Sequence, residues 1–186
     1  MSRWGESHRH YHTPRHLHEC LLAFDRIQNY AKDSRPAEFS LWYHDCFYQV
    51  EKHSNEQKSA DMAMASFVKS GGDAVVGKLI HDLVLATAHT LPVHTIDAAM
   101  VTDADLWILG APPERFDEYE LQVRRENRNV QYLHFAKLRS RLLQNFLERR
   151  FIYRTPIMRE FYEQSARSNI QRSLAALSRP GQAERT

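Results

Sequence analysis

Histidine and aspartate bind divalent metals through imidazole nitrogen and carboxylate oxygen, and both occur early in this chain. Four of the twelve residues in RHYHTPRHLHEC, which runs from Arg9 to Cys20, are histidine. A second stretch, LWYHDCFY, places His44 beside Asp45 among apolar and aromatic residues. A buried carboxylate must be paired or bind a cation, and no Lys or Arg lies within one helical turn of Asp45. The second stretch therefore predicts a metal site, with an ion pair to a distant arginine as the alternative.

The histidine-rich stretch leads into a predicted helix of residues 14–31, with Thr13 as its N-cap and Pro14 at its first position. Apolar residues recur along it at helical spacing and define a buried face: Leu17, Cys20, Leu21, Phe24, Ile27 and Ala31. At about 100° per residue, His16 lies at the edge of this face and is expected to point inward. The other histidines of the stretch and its vicinity are expected to be exposed: His8, His10, His12 and His18.

A further aspartate pair lies in the segment DADL, on a helix predicted over residues 96–109 and closed by Gly110. Asp105 shares a helical face with apolar residues, namely Ala98, Val101, Ile108 and Leu109, and is expected to be buried. Asp103 is rotated from it by about 160° and is expected to be a bystander. Two buried acids and inward histidines from three helices are what a bound metal would explain.

The rest of the chain also has helical periodicity, and no stretch alternates as a strand does. The fold class is predicted to be all-α, with about 7–9 helices forming one domain over residues 1–178 and a disordered tail over 179–186. The second helix begins at Ser34 and is expected to hold His44 and Asp45 in its middle. A later helix over residues 133–150 is expected to bury Phe135, Leu138, Leu142 and Phe146.

Composition excludes several classes of protein. The net charge of +2 over 186 residues is too small to argue for a nucleic-acid partner. No apolar run is long enough to cross a bilayer, and no leader segment is evident, so no membrane partner and a cytoplasmic location are expected. The two cysteines, Cys20 and Cys46, lack the spacing of a zinc-finger site.

The stretches HYHTPRHLHEC, WYHDCFY, NEQKSA and DADLWILGAPPERF together resemble metal-dependent phosphohydrolases of the HD superfamily. The ordered series H…HD…D with these flanks carries the resemblance, which extends to about Leu177. It implies an HD-domain-like helical bundle and one divalent ion, of type Mn, Mg, Fe, Ni, Co or Zn, held by His16, His44, Asp45 and Asp105. Some branches of the superfamily bind a second ion, for which His89 is the expected ligand.

The resemblance also implies hydrolysis of a phosphate ester or phosphoanhydride, with a nucleotide as the expected small phosphorylated substrate. Asp45 is expected to orient the attacking water as well as bind the ion. Glu56 is a candidate general acid or base, although it could equally interact with the positive N-terminus of its helix. The candidate substrate-binding residues flank these motifs: Tyr11, His12, Arg9 and Lys58.

The sequence is also compatible with two other functions. A non-catalytic sensor would keep the metal and a nucleotide but not hydrolyse it, and a helical interaction protein would carry the histidines only incidentally. The ordered H…HD…D series argues against the second of these. A homodimer formed through the charged helix of residues 113–129 is a further possibility.

Overall fold

The computed structural model describes residues 2–50, 54–90 and 92–179, and all regular structure in these residues is helical. The predicted all-α fold class is confirmed, and the eight α-helices described fall within the predicted number. They are α1 (Pro14–Asp25), α2 (Ser34–Tyr43), α3 (Asn55–Lys69), α4 (Ala74–Ala86), α5 (Ile96–Asp105), α6 (Pro113–Glu126), α7 (Tyr132–Glu148) and α8 (Pro156–Leu177). Short 3-10 segments cover Ser2–Gly5, Gln28–Tyr30 and Leu106–Gly110.

The chain divides into two compact units, Met1–Trp107 with α1 to α5 and Ile108–Thr186 with α6 to α8. The single domain expected for residues 1–178 stays a prediction, as does the homodimer. Beyond Arg179, the expected disordered tail lies outside the described residues. No helix in the described part of the chain is both long enough and apolar enough to cross a membrane.

In the first unit, α5 packs against α1, α2 and α4. Much of this helix is enclosed, because Met100, Val101 and Ala104 have almost no exposed surface. The helices α3 and α4 form a hairpin whose turn requires a positive φ of 91° at Gly71. Asp73 then caps α4 by accepting hydrogen bonds from the backbone N–H groups of Val75 and Val76, at 2.8 and 3.1 Å.

Three predicted helices end earlier than their sequence pattern indicated. The first was predicted to reach residue 31, but α1 ends at Asp25 and a 3-10 turn follows. The second was predicted to carry the His-Asp pair in its middle, but α2 ends at Tyr43. His44 is therefore its C-cap and Asp45 lies in the turn beyond it. The fifth changes from α to 3-10 geometry after Asp105.

In the second unit, α6 buries the aromatic and valine side chains of one face: Phe116, Tyr119 and Val123. The predicted face of α7 is partly wrong. Phe135 and Phe146 are buried, but Leu138 and Leu142 are exposed by 53% and 45%. Arg139 lies inward instead and forms a 2.5 Å ion pair with Glu120 of α6. Apolar periodicity cannot detect a buried arginine, so the predicted face was rotated.

Candidate metal centre

The first unit brings together four side chains that the sequence analysis proposed as ligands. His16 comes from α1, His44 from the end of α2, Asp45 from the following turn and Asp105 from the last residue of α5. The two histidine Nε2 atoms lie 3.1 Å apart. Asp45 Oδ2 lies 3.4 Å from Nε2 of His16 and 3.2 Å from that of His44. Asp105 Oδ1 lies 3.3 and 3.4 Å from the same two atoms.

The spacing of these four atoms suits a divalent ion. Metal–ligand bonds of about 2.1 Å place neighbouring donors about 3.0 Å apart in an octahedral shell and about 3.4 Å apart in a tetrahedral one. Five of the six donor–donor distances among His16 Nε2, His44 Nε2, Asp45 Oδ2 and Asp105 Oδ1 fall between 3.1 and 3.4 Å. The donor set is therefore already close to the size of a coordination shell.

A backbone contact fixes the orientation of the His44 ring. Its Nδ1 lies 2.8 Å from the carbonyl oxygen of Leu41, which can only accept a hydrogen bond, so Nδ1 must carry a proton. In the neutral imidazole the lone pair is then on Nε2, which faces the two carboxylates. A ligating histidine is commonly oriented through its second nitrogen in this way.

The four groups strongly perturb one another's protonation. Burial alone would lower the pKa of His16, but charge on Cys20 and hydrogen bonds with the two carboxylates raise that pKa well above its usual value. Burial alone would also lower the pKa of His44, but charge interactions and hydrogen bonds with Asp45 and Asp105 raise that pKa well above its usual value. Burial would raise the carboxyl pKa values, yet the neighbouring histidines hold those of Asp45 and Asp105 well below their usual range. The metal-free centre thus favours an ionic network, in which imidazolium and carboxylate stabilise each other's charged forms.

These shifts predict how the stability of the metal-free protein depends on pH. The raised histidine pKa values stabilise the fold fully below about pH 6.5, and this contribution is lost as the pH rises through the folded-state values. The lowered aspartate pKa values stabilise it above about pH 3.9, and this contribution is lost as the pH falls. Thermal denaturation of EDTA-treated protein should therefore show its highest Tm between about pH 4 and 6.5. A Tm that rises steadily from pH 6 to 9 would contradict the ionic network.

His89, the expected ligand of a second ion, lies on the outer side of Asp105. Its Nε2 is 2.9 Å from Asp105 Oδ2, whereas Oδ1 of the same carboxylate contacts His16 and His44. Its backbone φ of 55° lies in the left-handed region, a conformation that costs a non-glycine residue roughly 1 kcal/mol or more. The contact between His89 and Asp105 therefore forms despite the unfavourable backbone conformation of His89.

Aromatic rings enclose the centre on the side of the N-terminal segment. The ring of Tyr11 is buried and its centroid lies 4.6 Å from that of His16, while the Trp4 ring lies 5.5 Å from His44. His12 stacks on Tyr48 at 3.8 Å, and its Nε2 lies 3.9 Å from Asp45 Oδ2. Among the predicted substrate-binding residues, Tyr11 is buried against His16, and His12 is partly exposed beside Asp45.

The histidines expected to be exposed fall into two groups. His8 and His18 are exposed, as predicted. His10 and His12 are instead partly buried, so the prediction is wrong for these two. His16, by contrast, is buried with only 2% of its surface exposed, as the helical phase indicated.

Arg9, predicted to bind substrate phosphate, is a structural residue. Its Nε and one terminal nitrogen contact Glu6, both at 3.0 Å. Its remaining donors bind the carbonyl oxygens of His12 at 3.1 Å, Asp45 at 2.7 Å and Cys46 at 3.1 Å. These contacts use all five N–H groups of the guanidinium. Arg9 therefore clamps the N-terminal segment to the turn that carries Asp45 and has no donor left for a phosphate.

Replacing Arg9 with methionine should lower the free energy of unfolding by about 2–4 kcal/mol, because three buried carbonyl groups lose their donor. Arg15 provides a matched control. Its guanidinium is half exposed and pairs with Glu19, one turn along α1, at 3.3 Å. Arg15→Met should change stability by about 0.5 kcal/mol or less. Urea denaturation of both variants measures the difference, and equal losses would show that the clamp contributes nothing specific.

Glu56 and Lys58, the other predicted functional residues, are not brought to the four donors by any contact in the described residues. Glu56 is half-buried in the first turn of α3, where its charge suits the positive N-terminus of the helix. Lys58 is exposed. The geometry thus agrees with the alternative interpretation of Glu56, and it offers no direct support for either residue in chemistry at the centre.

Asp103 and Cys20 lie in surroundings that differ from those predicted. Asp103, expected to be a bystander, is completely buried. The reason is that α5 packs against several helices, so more than one of its faces is enclosed. Cys20 was assigned only to an apolar face, but its Sγ lies 3.6 Å from both ring nitrogens of His16. The spacing of four residues between His16 and Cys20 was the signal that places both on one helical face.

These distances define a group of side chains that can bind a metal ion. His16, Cys20, His44 and Asp105 form a group of buried or nearly buried side chains that can hold a metal ion, because one donor atom from each lies within 4.8 Å of the others. Asp45 Oδ2 lies within 3.4 Å of both histidine nitrogens of this group. No protein-family model, curated protein or solved structure matches this chain.

Proposed function

We propose that this protein is a metal-dependent phosphohydrolase in which His16, His44, Asp45 and Asp105 hold a divalent ion. The observation that carries the proposal is the convergence of four donor atoms, from three separate helices and a turn, at the spacing of a coordination shell. The proposal also draws on the resemblance of the ordered H…HD…D series to the HD superfamily. A structural role alone would not require two carboxylates to face two buried imidazoles.

The residues around the centre have separate roles in this proposal. A bound divalent ion supplies an acidified water and polarises a phosphoryl oxygen. Asp45 binds through Oδ2 and uses its remaining carboxylate capacity to orient that water. His12 lies 3.9 Å from Asp45 with 19% of its side chain exposed, so it can reach a phosphoryl oxygen from the solvent side. Trp4 packs against the ring of His44 and Tyr11 against the ring of His16, and both limit the access of water to the centre.

A cavity in the same unit supports a nucleotide as the substrate. It has a volume of about 490 Å³, within the range of small-molecule sites. Half of its eight lining residues are aromatic (Trp4, Phe39, Trp42 and Tyr43), and Arg3 supplies a guanidinium. Trp4 borders both this cavity and the histidine rings of the centre. Aromatic side chains favour planar rings, so the cavity suits a nucleobase better than a sugar.

Cysteine chemistry supports a cytoplasmic location as part of the proposal. Cys20 and Cys46 are both buried free thiols. Free thiols persist in reducing compartments.

The test is phosphate release by metal-free protein reloaded with Mn²⁺, Co²⁺, Ni²⁺, Zn²⁺ or Mg²⁺, assayed against nucleotides and matched sugar phosphates. We expect release from nucleotides, dependent on the ion and absent in Asp45→Asn. His18→Ala is the control, because His18 is exposed on the far side of α1 and should leave activity unchanged. Nucleotide binding by a metal-loaded protein that releases no phosphate would favour the sensor alternative.

A further inference from the structure

We infer that Cys20 binds the ion of this centre through its sulfur, and that the centre therefore selects a borderline-soft transition metal such as Zn²⁺ or Co²⁺ over Mg²⁺ and Mn²⁺. The inference rests on the proposed metal centre but not on phosphate hydrolysis. It adds a ligand that the H…HD…D series does not contain, and it narrows the class of metal.

The sulfur lies within reach of an ion bound by His16. Cys20 follows His16 by one turn on the buried face of α1, and only 2% of its surface is exposed. Zinc bonds of about 2.3 Å to sulfur and 2.0–2.1 Å to nitrogen give a sulfur–nitrogen separation of about 3.6 Å at a tetrahedral angle. Cys20 Sγ lies 3.6 Å from His16 Nε2 but also 3.6 Å from Nδ1, so the sulfur lies beside the imidazole ring and off the Nε2 lone-pair axis. A change of the Cys20 χ1 rotamer therefore brings the sulfur onto an ion bound at Nε2.

The remaining donors are within reach of the same ion. Donor atoms of His44 and Asp105 lie within 4.8 Å of the sulfur, so small side-chain movements bring all four onto one ion. The histidine rings are 2% exposed or less and fixed by neighbours, so the ion must bind next to the thiol. The thiol is therefore close enough to a cation held between His16 and His44 to bind it after a change of rotamer.

Sulfur changes which ions the centre prefers. Mg²⁺ and Mn²⁺ prefer oxygen ligands, whereas thiolate favours Zn²⁺ and other borderline-soft ions. Two histidines and two carboxylates alone would discriminate weakly among these ions. Cys20 would make the centre discriminate among these ions, because it binds as a thiolate and a thiolate binds the softer ions more strongly.

The second cysteine of the chain is a matched control. Cys46 is also buried, and it adjoins Asp45 in sequence. Its sulfur lies against the sulfur of Met62 at 3.8 Å. Because the chain has only two cysteines, a sulfur–metal signal that survives Cys46→Ser must come from Cys20.

The experiment is a titration of metal-free protein with Co²⁺, followed by absorption. Bound Co²⁺ gives visible d–d bands, and a thiolate ligand adds an intense sulfur-to-cobalt charge-transfer band in the near ultraviolet. We expect both signals in the wild type and in Cys46→Ser. Cys20→Ser should keep the visible bands and lose the charge-transfer band, with Cys20→Ala as a second variant. If neither Cys20 variant folds, the band in Cys46→Ser still assigns the ligand.

The outcomes separate this inference from the proposed function. Visible bands without a charge-transfer band in the wild type would overturn the sulfur ligand while leaving the metal centre in place. No Co²⁺ binding at all would overturn the centre itself, and the inference with it. In a competition titration, Cys20→Ser should weaken Zn²⁺ binding by about 10–100-fold. Its effect on Mn²⁺ should be much smaller, and an equal loss for both ions would overturn the claimed selectivity.

Discussion

Replacing Asp105 with asparagine should lower the affinity for the divalent ion by about 100-fold or more, while the protein remains helical. Asp105 Oδ1 contacts Nε2 of both His16 and His44, at 3.3 and 3.4 Å, so its charge lies at the middle of the donor set. Asparagine keeps the shape of the side chain but removes the negative charge that a cation requires. The change should be measured by isothermal titration with Zn²⁺ or Co²⁺ and by circular dichroism.

Asp97 offers a matched control for this substitution on the same helix. It is buried, and its Oδ1 accepts a hydrogen bond from the backbone N–H of Lys32 at 2.8 Å. Asparagine at this position retains an oxygen acceptor, so Asp97→Asn should bind the ion as the wild type does. If Asp97→Asn loses as much affinity as Asp105→Asn, the effect comes from damage to α5 and not from loss of a ligand.

His16→Ala should also remove the ion, and it should do so far more strongly than His18→Ala. The two residues lie two positions apart on α1, yet His16 is 2% exposed and His18 is exposed. Removing His16 deletes a donor that contacts both carboxylates, at 3.3 and 3.4 Å. We expect His16→Ala to lose about 100-fold or more in affinity and His18→Ala to change it less than twofold.

Metal content measured by elemental analysis after dialysis would compare these two variants directly. Thermal denaturation with and without added ion provides the second readout, because an ion that binds only the folded state raises its Tm. The increase should be present in His18→Ala and absent in His16→Ala. Equal losses of metal in both variants would contradict the assignment of His16, and not His18, as a ligand.

The sequence predicted the helices and the donor residues because both depend on local patterns. Helix starts at Pro14, Ser34 and Pro156 follow from proline and capping residues in their first turn. The inward phase of His16 follows from its angle to the apolar stripe of a single helix. Helix starts and the helical phase of a residue depend on residues that are close together in the chain, so both can be predicted from the sequence.

Other features depend on contacts between distant parts of the chain and could not be predicted. The early end of α2 places Asp45 in a turn, and that turn is held by Arg9, 36 residues earlier. Asp103 is buried because α5 is enclosed by several helices, which the amphipathic pattern of one helix does not reveal. The partner of Arg139 is on a different helix, so its burial was likewise invisible to periodicity.

Anomalous diffraction from crystals loaded with Co²⁺ or Zn²⁺ tests the central claim most directly, because it locates the ion without reference to activity. The proposed centre predicts a peak about 2.0–2.2 Å from Nε2 of both His16 and His44 and from one carboxylate oxygen each of Asp45 and Asp105. The same map would place Cys20 Sγ about 2.3 Å from the peak. A loaded crystal whose strongest peak lies away from His16 and His44 would contradict the assignment of this cluster as a metal centre.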